Sequence, residues 1–159
     1  MKDNYLKRSL KSIALDLLAI REHSSKELYN KLIKHSDDHD EIIAVLEDLQ
    51  NSKFLSNERF AESFINSKSK KYGSLKIRHM LREKAVSVDI INDVYEESDI
   101  DEYQIAYSIL CRKYKSLPKD YNEKAKYIRF LLGRGFSSSI ASGALDEFIR
   151  NFDEFNYTT

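Results

Sequence analysis

Apolar residues recur along this chain three and four positions apart, and the same arrangement returns three times. Ala14, Leu17 and Leu18 are followed by Arg21; Ala61, Phe64 and Ile65 by Lys68; Ala106, Ile109 and Leu110 by Lys113. The interval is roughly 45 residues, within the range that marks stacked supersecondary units. In each case the apolar members fall on one helical stripe. The basic residue follows about a turn later, where a cation suits the negative end of the helix dipole. A second stripe follows each first one, marked by Leu28 and Leu32, by Ile77 and Leu81, and by Tyr127 and Leu131. A third follows that, with Ile42 and Leu46 answered by Ile90 and Val94 and by Ile140 and Ala144. The pattern predicts an all-α chain of three tandem three-helix repeats, over residues 1–52, 53–98 and 99–150, with a flexible polar tail over 151–159. A single repeat buries little surface alone. Stacking would cover the open faces and give an elongated, curved helical array.

The boundaries carry capping chemistry. Ser24-Ser-Lys-Glu27 has the capping-box spacing, in which the hydroxyl and the carboxylate each satisfy a free backbone N–H. Asp99-Ile-Asp-Glu102 and Asp120-Tyr-Asn-Glu123 have similar spacing, and Ser56, Ser87 and Ser137 are candidate simple caps. Tyr72-Gly73 divides two helices of the middle repeat, Gly135-Phe136-Ser137 ends one helix and begins another, and Pro118 sits in the longest connection.

Composition agrees with this reading. Four Gly and one Pro in 159 residues are too few for the turns of an all-β fold. No apolar run approaches the ~20 residues of a membrane span. The basic start and apolar continuation near the N-terminus are broken by Asp16, Arg21 and Glu22, which argues against a secretory signal. Cys111 is the one cysteine, so no intramolecular disulfide forms, and a reducing cytoplasm fits.

Charge changes the picture more. The chain has 26 basic and 26 acidic residues, yet they are sorted into blocks. Lys68, Lys70, Lys71, Lys76, Arg78, Arg82 and Lys84 cluster against the single carboxylate of Glu83. Residues 89–102 are acidic with no base, and residues 112–134 are again mainly basic. Such blocks become useful when the fold sorts them onto separate faces.

No reactive constellation accompanies them. His35 and His39 have the spacing of two imidazoles on one helical turn, but Ser36-Asp37-Asp38 between them reads as a loop and a helix start. The chain lacks the glycine-rich loops that cradle nucleotide phosphates, and Gly133-Arg134-Gly135 is too short to do so alone. Ser137, Ser138 and Ser139 have no neighbouring base in sequence, and Cys111 reads as a small packed thiol in a helix. The expectation is a protein that is not an enzyme and needs no cofactor or metal.

Three segments resemble the RecX family of bacterial recombination regulators. The middle one is Phe54-Leu-Ser-Asn-Glu-Arg-Phe-Ala-Glu-Ser-Phe-Ile65, centred on Asn57-Glu-Arg-Phe-Ala61 and continuing through Lys70-Lys-Tyr-Gly73, Ile77, Leu81 and Lys84. The first is similar in Ala14-Leu15, Leu18, Arg21, Ser25 and Glu27-Leu28; the third in Leu131-Leu-Gly-Arg-Gly-Phe-Ser137, Ile140 and Leu145. Ser74 stands where the family often has Pro, and Ala85 where it often has Gly. The resemblance spans roughly residues 12–147. It implies a non-enzymatic, three-unit helical protein that lodges along the filament of the RecA recombinase. Such proteins suppress RecA's ATPase, strand-exchange and coprotease activities, and can block filament growth.

The basic segment then becomes the candidate contact. Ile77, Met80 and Leu81 would hold its helix to the core, leaving Lys70, Lys71, Lys76, Arg78 and Arg82 outward, joined by Arg129 and Arg134 of the third repeat. These seven are the expected contacts to RecA carboxylates, DNA phosphates or both, in a cytoplasmic monomer. The alternative is a helix-turn-helix-like protein that binds DNA without RecA. Against it stand the equal count of acids and the lack of a helix rich in base-reading residues.

Overall fold

The structure, a computed structural model, describes residues 8–156. Among the described residues there are nine helices and no strand: α1 (Leu10–Ile20), α2 (Ser25–Leu32), α3 (His39–Asn51), α4 (Asn57–Lys68), α5 (Ser74–Glu83), α6 (Val88–Glu97), α7 (Glu102–Lys113), α8 (Tyr121–Gly133) and α9 (Ser138–Asn156). The all-α reading holds. None of these helices is long and apolar enough to cross a membrane.

The chain packs as two compact units. The first takes the described residues up to Ser63 together with Leu81–Val94; the second takes Phe64–Met80 and the residues from Tyr95 on. α4, α5 and α6 therefore contribute to both. In the first unit, α1, α2 and α3 close around Leu10, Ala14, Leu28, Leu32, Ile42, Leu46, Leu49 and Leu55. In the second, α7, α8 and α9 close around a larger core that includes Ala106, Leu110, Tyr127, Leu131, Phe136, Leu145 and Phe148.

The buried positions follow the repeat. Ala14, Ala61 and Ala106 are each fully buried in the first helices; Leu28 with Leu32, Ile77 with Leu81 and Tyr127 with Leu131 are buried in the second. The third helices depart from expectation. Ile42 is buried as expected, but its counterparts are Ile91 and Ala141, while Ile90 and Ile140 are only half-buried. The core position lies at a constant distance behind Leu28, Ile77 and Tyr127. Ile90, one residue earlier, is turned about 100° around the helix axis from Ile91 and so leaves the core face.

The caps form largely as the sequence indicates. The Ser24, Ser56, Ser87 and Ser137 hydroxyls accept from the N–H groups of Glu27, Arg59, Ile90 and Ile140 at 3.1 to 3.2 Å. Each such cap stabilises its helix by about 1 kcal/mol. Asp120 caps α8 through the Glu123 N–H at 2.9 Å, and the Glu123 carboxylate returns to the Lys119 N–H at 2.6 Å. α7 is capped by Asp101 rather than Asp99. The neighbouring Glu102 turns away to cap another helix, accepting from the Ser74 N–H at 2.7 Å and from the Ser74 hydroxyl at 3.2 Å. Ser74 is thus the capped residue of α5, not its cap.

Three helices end in the same turn. At the ends of α3, α5 and α8, the N–H groups of Phe54, Val86 and Phe136 reach back to the carbonyls of Leu49, Leu81 and Leu131. The residue before each adopts positive φ: Lys53 at 64°, Ala85 at 59° and Gly135 at 96°. This is the Schellman arrangement; Val86 and Phe136 are buried just past their helices, whereas Phe54 is exposed and the next residue, Leu55, is the buried one. Ala85 accordingly adopts the left-handed turn without the glycine that makes it cheap. α9 continues to Asn156, beyond the residue 151 at which the sequence pattern begins its tail, and Phe152 packs on Phe148 along it. Residues 157–159 lie outside the described residues.

Candidate functional site

The two glycine turns of the second unit meet backbone to backbone. The Gly73 N–H donates to the Arg134 carbonyl at 2.8 Å, and the Leu75 N–H donates to the Gly135 carbonyl at 3.1 Å. A Cβ on Gly73 would overlap the Gly135 carbonyl, and one on Gly135 would overlap Lys76. Absence of both side chains is what lets the turns close.

This junction gathers cations. Lys70 and Lys71 come from the turn after α4, Arg112 and Lys113 from the end of α7, and Arg134 from the end of α8. Together with Tyr72, Ile109 and Phe130 they line a groove of about 470 Å³. Aromatic faces hold several of the cations. The Arg134 guanidinium lies 5.8 Å from the Tyr72 ring centre and 5.3 Å from that of Phe130. Lys76 Nζ lies 4.5 Å from the Tyr72 ring centre and Lys113 Nζ 5.5 Å from that of Phe130. Each contact contributes roughly 0.5–1 kcal/mol at an exposed site, and it orients the cation without cancelling its charge.

The first unit treats its cations differently. Lys11 pairs with Asp48 at 2.8 Å, Arg59 with Glu22 at 2.9 Å, and Glu27 takes both Arg21 at 2.6 Å and Lys84 at 3.3 Å. Burial alone would raise the Glu27 pKa, but Arg21 and Lys84 outweigh it and hold the carboxyl below its ordinary value. Among the described residues, no carboxylate lies within ion-pair reach of Lys70, Lys71, Arg112, Lys113 or Arg134. The groove keeps its positive charge.

The seven expected contact residues therefore separate. Lys70, Lys71 and Arg134 come together in the groove, and Lys76 joins them through the Tyr72 ring. Arg78 instead stacks on Tyr95, 4.4 Å from its ring centre. Arg82 is exposed on the segment that packs with the first unit. Arg129 lines a separate groove between α8 and α9, with Tyr121, Ile128, Leu145 and Ile149. Arg112 and Lys113 are groove residues that the sequence reading placed only in a basic block. Lys113 also held the recurring basic position after the first stripe, which was the available signal.

Other candidates resolve as packing. His39 opens α3, where its Nδ1 hydrogen-bonds the Tyr29 hydroxyl at 2.6 Å. Among the described residues no three His, Cys, Asp or Glu side chains come together as a metal-binding group. Cys111 is half-buried beside Tyr107 and Tyr114.

Family models for the first, second and third three-helix domains of RecX match residues 11–49, 56–94 and 100–145 in that order. The chain belongs to the RecX family. It is 38% identical over 145 residues to regulatory protein RecX of Leptothrix cholodnii, covering 91% of this chain and 92% of that one. It is 36% identical over 134 residues to regulatory protein RecX of Ralstonia nicotianae, covering 84% of each. The crystal structure of RecX from Lactobacillus salivarius has the same fold, with a TM-score of 0.75 over 87% of this chain and 94% of that one at 21% identity.

The residues that carry the RecX resemblance have visible local work. In the middle motif, Asn57 Oδ1 accepts from the Ser25 N–H at 2.9 Å, at the start of α2. Arg59 binds Glu22 and the Lys53 and Phe54 carbonyls, while Phe60 and Ala61 are buried. The Lys70-Lys-Tyr-Gly73 and Gly133-Arg-Gly-Phe136 segments form the two turns that meet at the groove. The motifs of the RecX family therefore serve the packing of the first unit and the basic junction of the second.

Proposed function

We propose that this regulatory protein binds the RecA nucleoprotein filament and lowers its ATPase, strand-exchange and coprotease activities. It acts in the cytoplasm as a monomer, by occupancy and not by catalysis. The observation that carries this reading is the groove of unneutralised cations in the second unit, built by RecX-family motifs. A nucleoprotein filament presents both protein carboxylates and DNA phosphates, and a positive groove with fixed side chains would set the orientation of docking. Complementary charge of this kind speeds encounter more than it sets final affinity.

Lys70, Lys71, Lys76 and Arg134 are the proposed contacts, and Arg112 and Lys113 are added to them. Arg78, Arg82 and Arg129 do not line the groove and are expected to matter less. The experiment is titration of the protein into RecA assembled on DNA while ATP hydrolysis is followed. Suppression that saturates at a fixed ratio of protein to RecA is expected; an unchanged rate at saturating protein would overturn the reading.

A further inference from the structure

α8 is apolar on two sides. Tyr127 and Leu131 are buried in the core of the second unit. Tyr121, Ala125, Ile128 and Leu132 form another stripe, at spacings of four, three and four, which is the seam of a helix that packs on a further helix. At about 100° per residue, this seam lies on the far side of α8 from Phe130 and Arg134, which line the basic groove. It is left open: Tyr121 is 83% exposed and Leu132 40%, while Ala125 and Ile128 are only half-buried.

Leu145 and Ile149 of α9 supply the facing wall, and the two helices enclose a groove of about 380 Å³. Every residue that lines it belongs to the second unit. The seam from Tyr121 to Leu132 rises about 16 Å, three turns of helix. A cleft between two helices with apolar residues at these spacings receives the apolar face of a third.

The rim selects the charge of that third helix. Lys124 and Arg129 flank the seam on its two sides, and both are exposed at the groove. Among the described residues, no carboxylate lies within ion-pair reach of either. Asp146 is the one carboxylate in the lining, so the rim is net positive. Carboxylates beside the partner's apolar seam would meet these cations and fix its register, and bases there would be repelled. Tyr121 stands at the end of the groove as an exposed ring of the kind that anchors interfaces.

We infer that the α8–α9 groove docks an amphipathic helix of a partner protein, one whose apolar seam is bordered by carboxylates. It is a second interaction surface, on the other side of α8 from the basic groove and independent of what that groove binds.

The test uses two fluorescein-labelled helical peptides of about 18 residues, or five turns. Both carry leucine at the two seam positions of each heptad; one has glutamate and the other lysine at the flanking positions. Anisotropy is followed as each is titrated with the full chain. The glutamate peptide is expected to bind about fivefold more tightly than the lysine peptide, the scale set by two exposed ion pairs. Lys124→Glu/Arg129→Glu should reverse that preference, and Tyr121→Ala should weaken the glutamate peptide about tenfold. All three residues are exposed, and thermal melts confirm that the variants are folded. No binding of the glutamate peptide by wild type, equal binding of the two peptides, or a preference unmoved by either variant would overturn the inference. So would loss of the glutamate peptide in a Lys70→Gln/Arg112→Gln variant, which would place it in the basic groove. Self-association of wild type that Tyr121→Ala abolishes in sedimentation would give the groove to a second copy, and would also overturn it.

Discussion

The N–H of Gly73 donates to the carbonyl of Arg134 at 2.8 Å, across sixty-odd residues of sequence, and this bond joins the turn that carries Lys70 and Lys71 to the turn that carries Arg134 itself. Two tight turns, each bare of a side chain at the contact, are thereby fixed against one another. The basic groove is the surface expression of that junction.

Substitution at the junction should be costly. A Cβ on Gly73 would collide with the backbone of Gly135 and Phe136, atoms that cannot swing aside as a flexible side chain can. Gly73→Ala is expected to destabilise the fold by about 1–3 kcal/mol, read as a lower midpoint in urea. Gly133→Ala is the matched control. Nothing lies within 4 Å of a Cβ there, and the residue is helical, so the midpoint should hold or rise.

Ala85 makes the opposite case. Its φ of 59° completes the Schellman turn after α5 with a residue that disfavours the left-handed region. Ala85→Gly removes that strain at some entropic cost in the unfolded chain, and the expected net gain is roughly 0.5–1 kcal/mol. Equilibrium urea denaturation measures it. A loss of stability would mean that the Ala85 methyl group makes compensating contacts.

His23 should make stability depend on pH. It is 1% exposed, with Nδ1 at 3.0 Å from the Arg21 carbonyl and Nε2 at 3.1 Å from Lys31 Nζ. Those distances describe a neutral ring that donates from Nδ1 and accepts from the lysine. Burial lowers its pKa from the ordinary 6.5, and the positive charges of Arg21 and Lys31 act in the same direction against the opposing pull of the Arg21 carbonyl. Below pH 6.5 the unfolded chain therefore binds protons that the folded chain refuses. Stability should be complete above that pH and decline as pH falls through the folded value. Glu27, whose pKa is lowered from 4.5, weakens the fold only at more acid pH, so the windows separate. Urea midpoints between pH 7.5 and 5 should fall further for wild type than for His23→Gln; parallel profiles would exclude this role.

Much of the architecture was legible in the sequence because helical spacing is a strong, local signal. Ala14, Ala61 and Ala106 marked the first helices, and the serine caps and the Tyr72-Gly73 turn followed from residue chemistry alone. What escaped was non-local. Nothing near Ser74 announces that Glu102 will cap it, and the choice between Ile90 and Ile91 depends on a register set by packing. The basic segment was visible as an imbalance of charge, and Lys70, Lys71 and Arg134 were legible as candidates. Their separation from Arg78, Arg82 and Arg129 was not, because it depends on where each helix face points after folding. Arg112 and Lys113 enter the groove only because Gly73 and Gly135 bring distant turns together. Tyr72 and Phe130 act as platforms for cations, a role that no spacing rule identifies.

Regulation of RecA through the basic groove would show in a single titration. RecA assembled on single-stranded DNA is titrated with wild-type protein and with the Lys70→Gln/Arg112→Gln variant while ATP hydrolysis is followed. Wild type is expected to suppress hydrolysis at a fixed ratio to RecA, and the variant to need several-fold more protein for the same effect. A rate unmoved by saturating wild-type protein, or equal suppression by wild type and variant, would contradict the account.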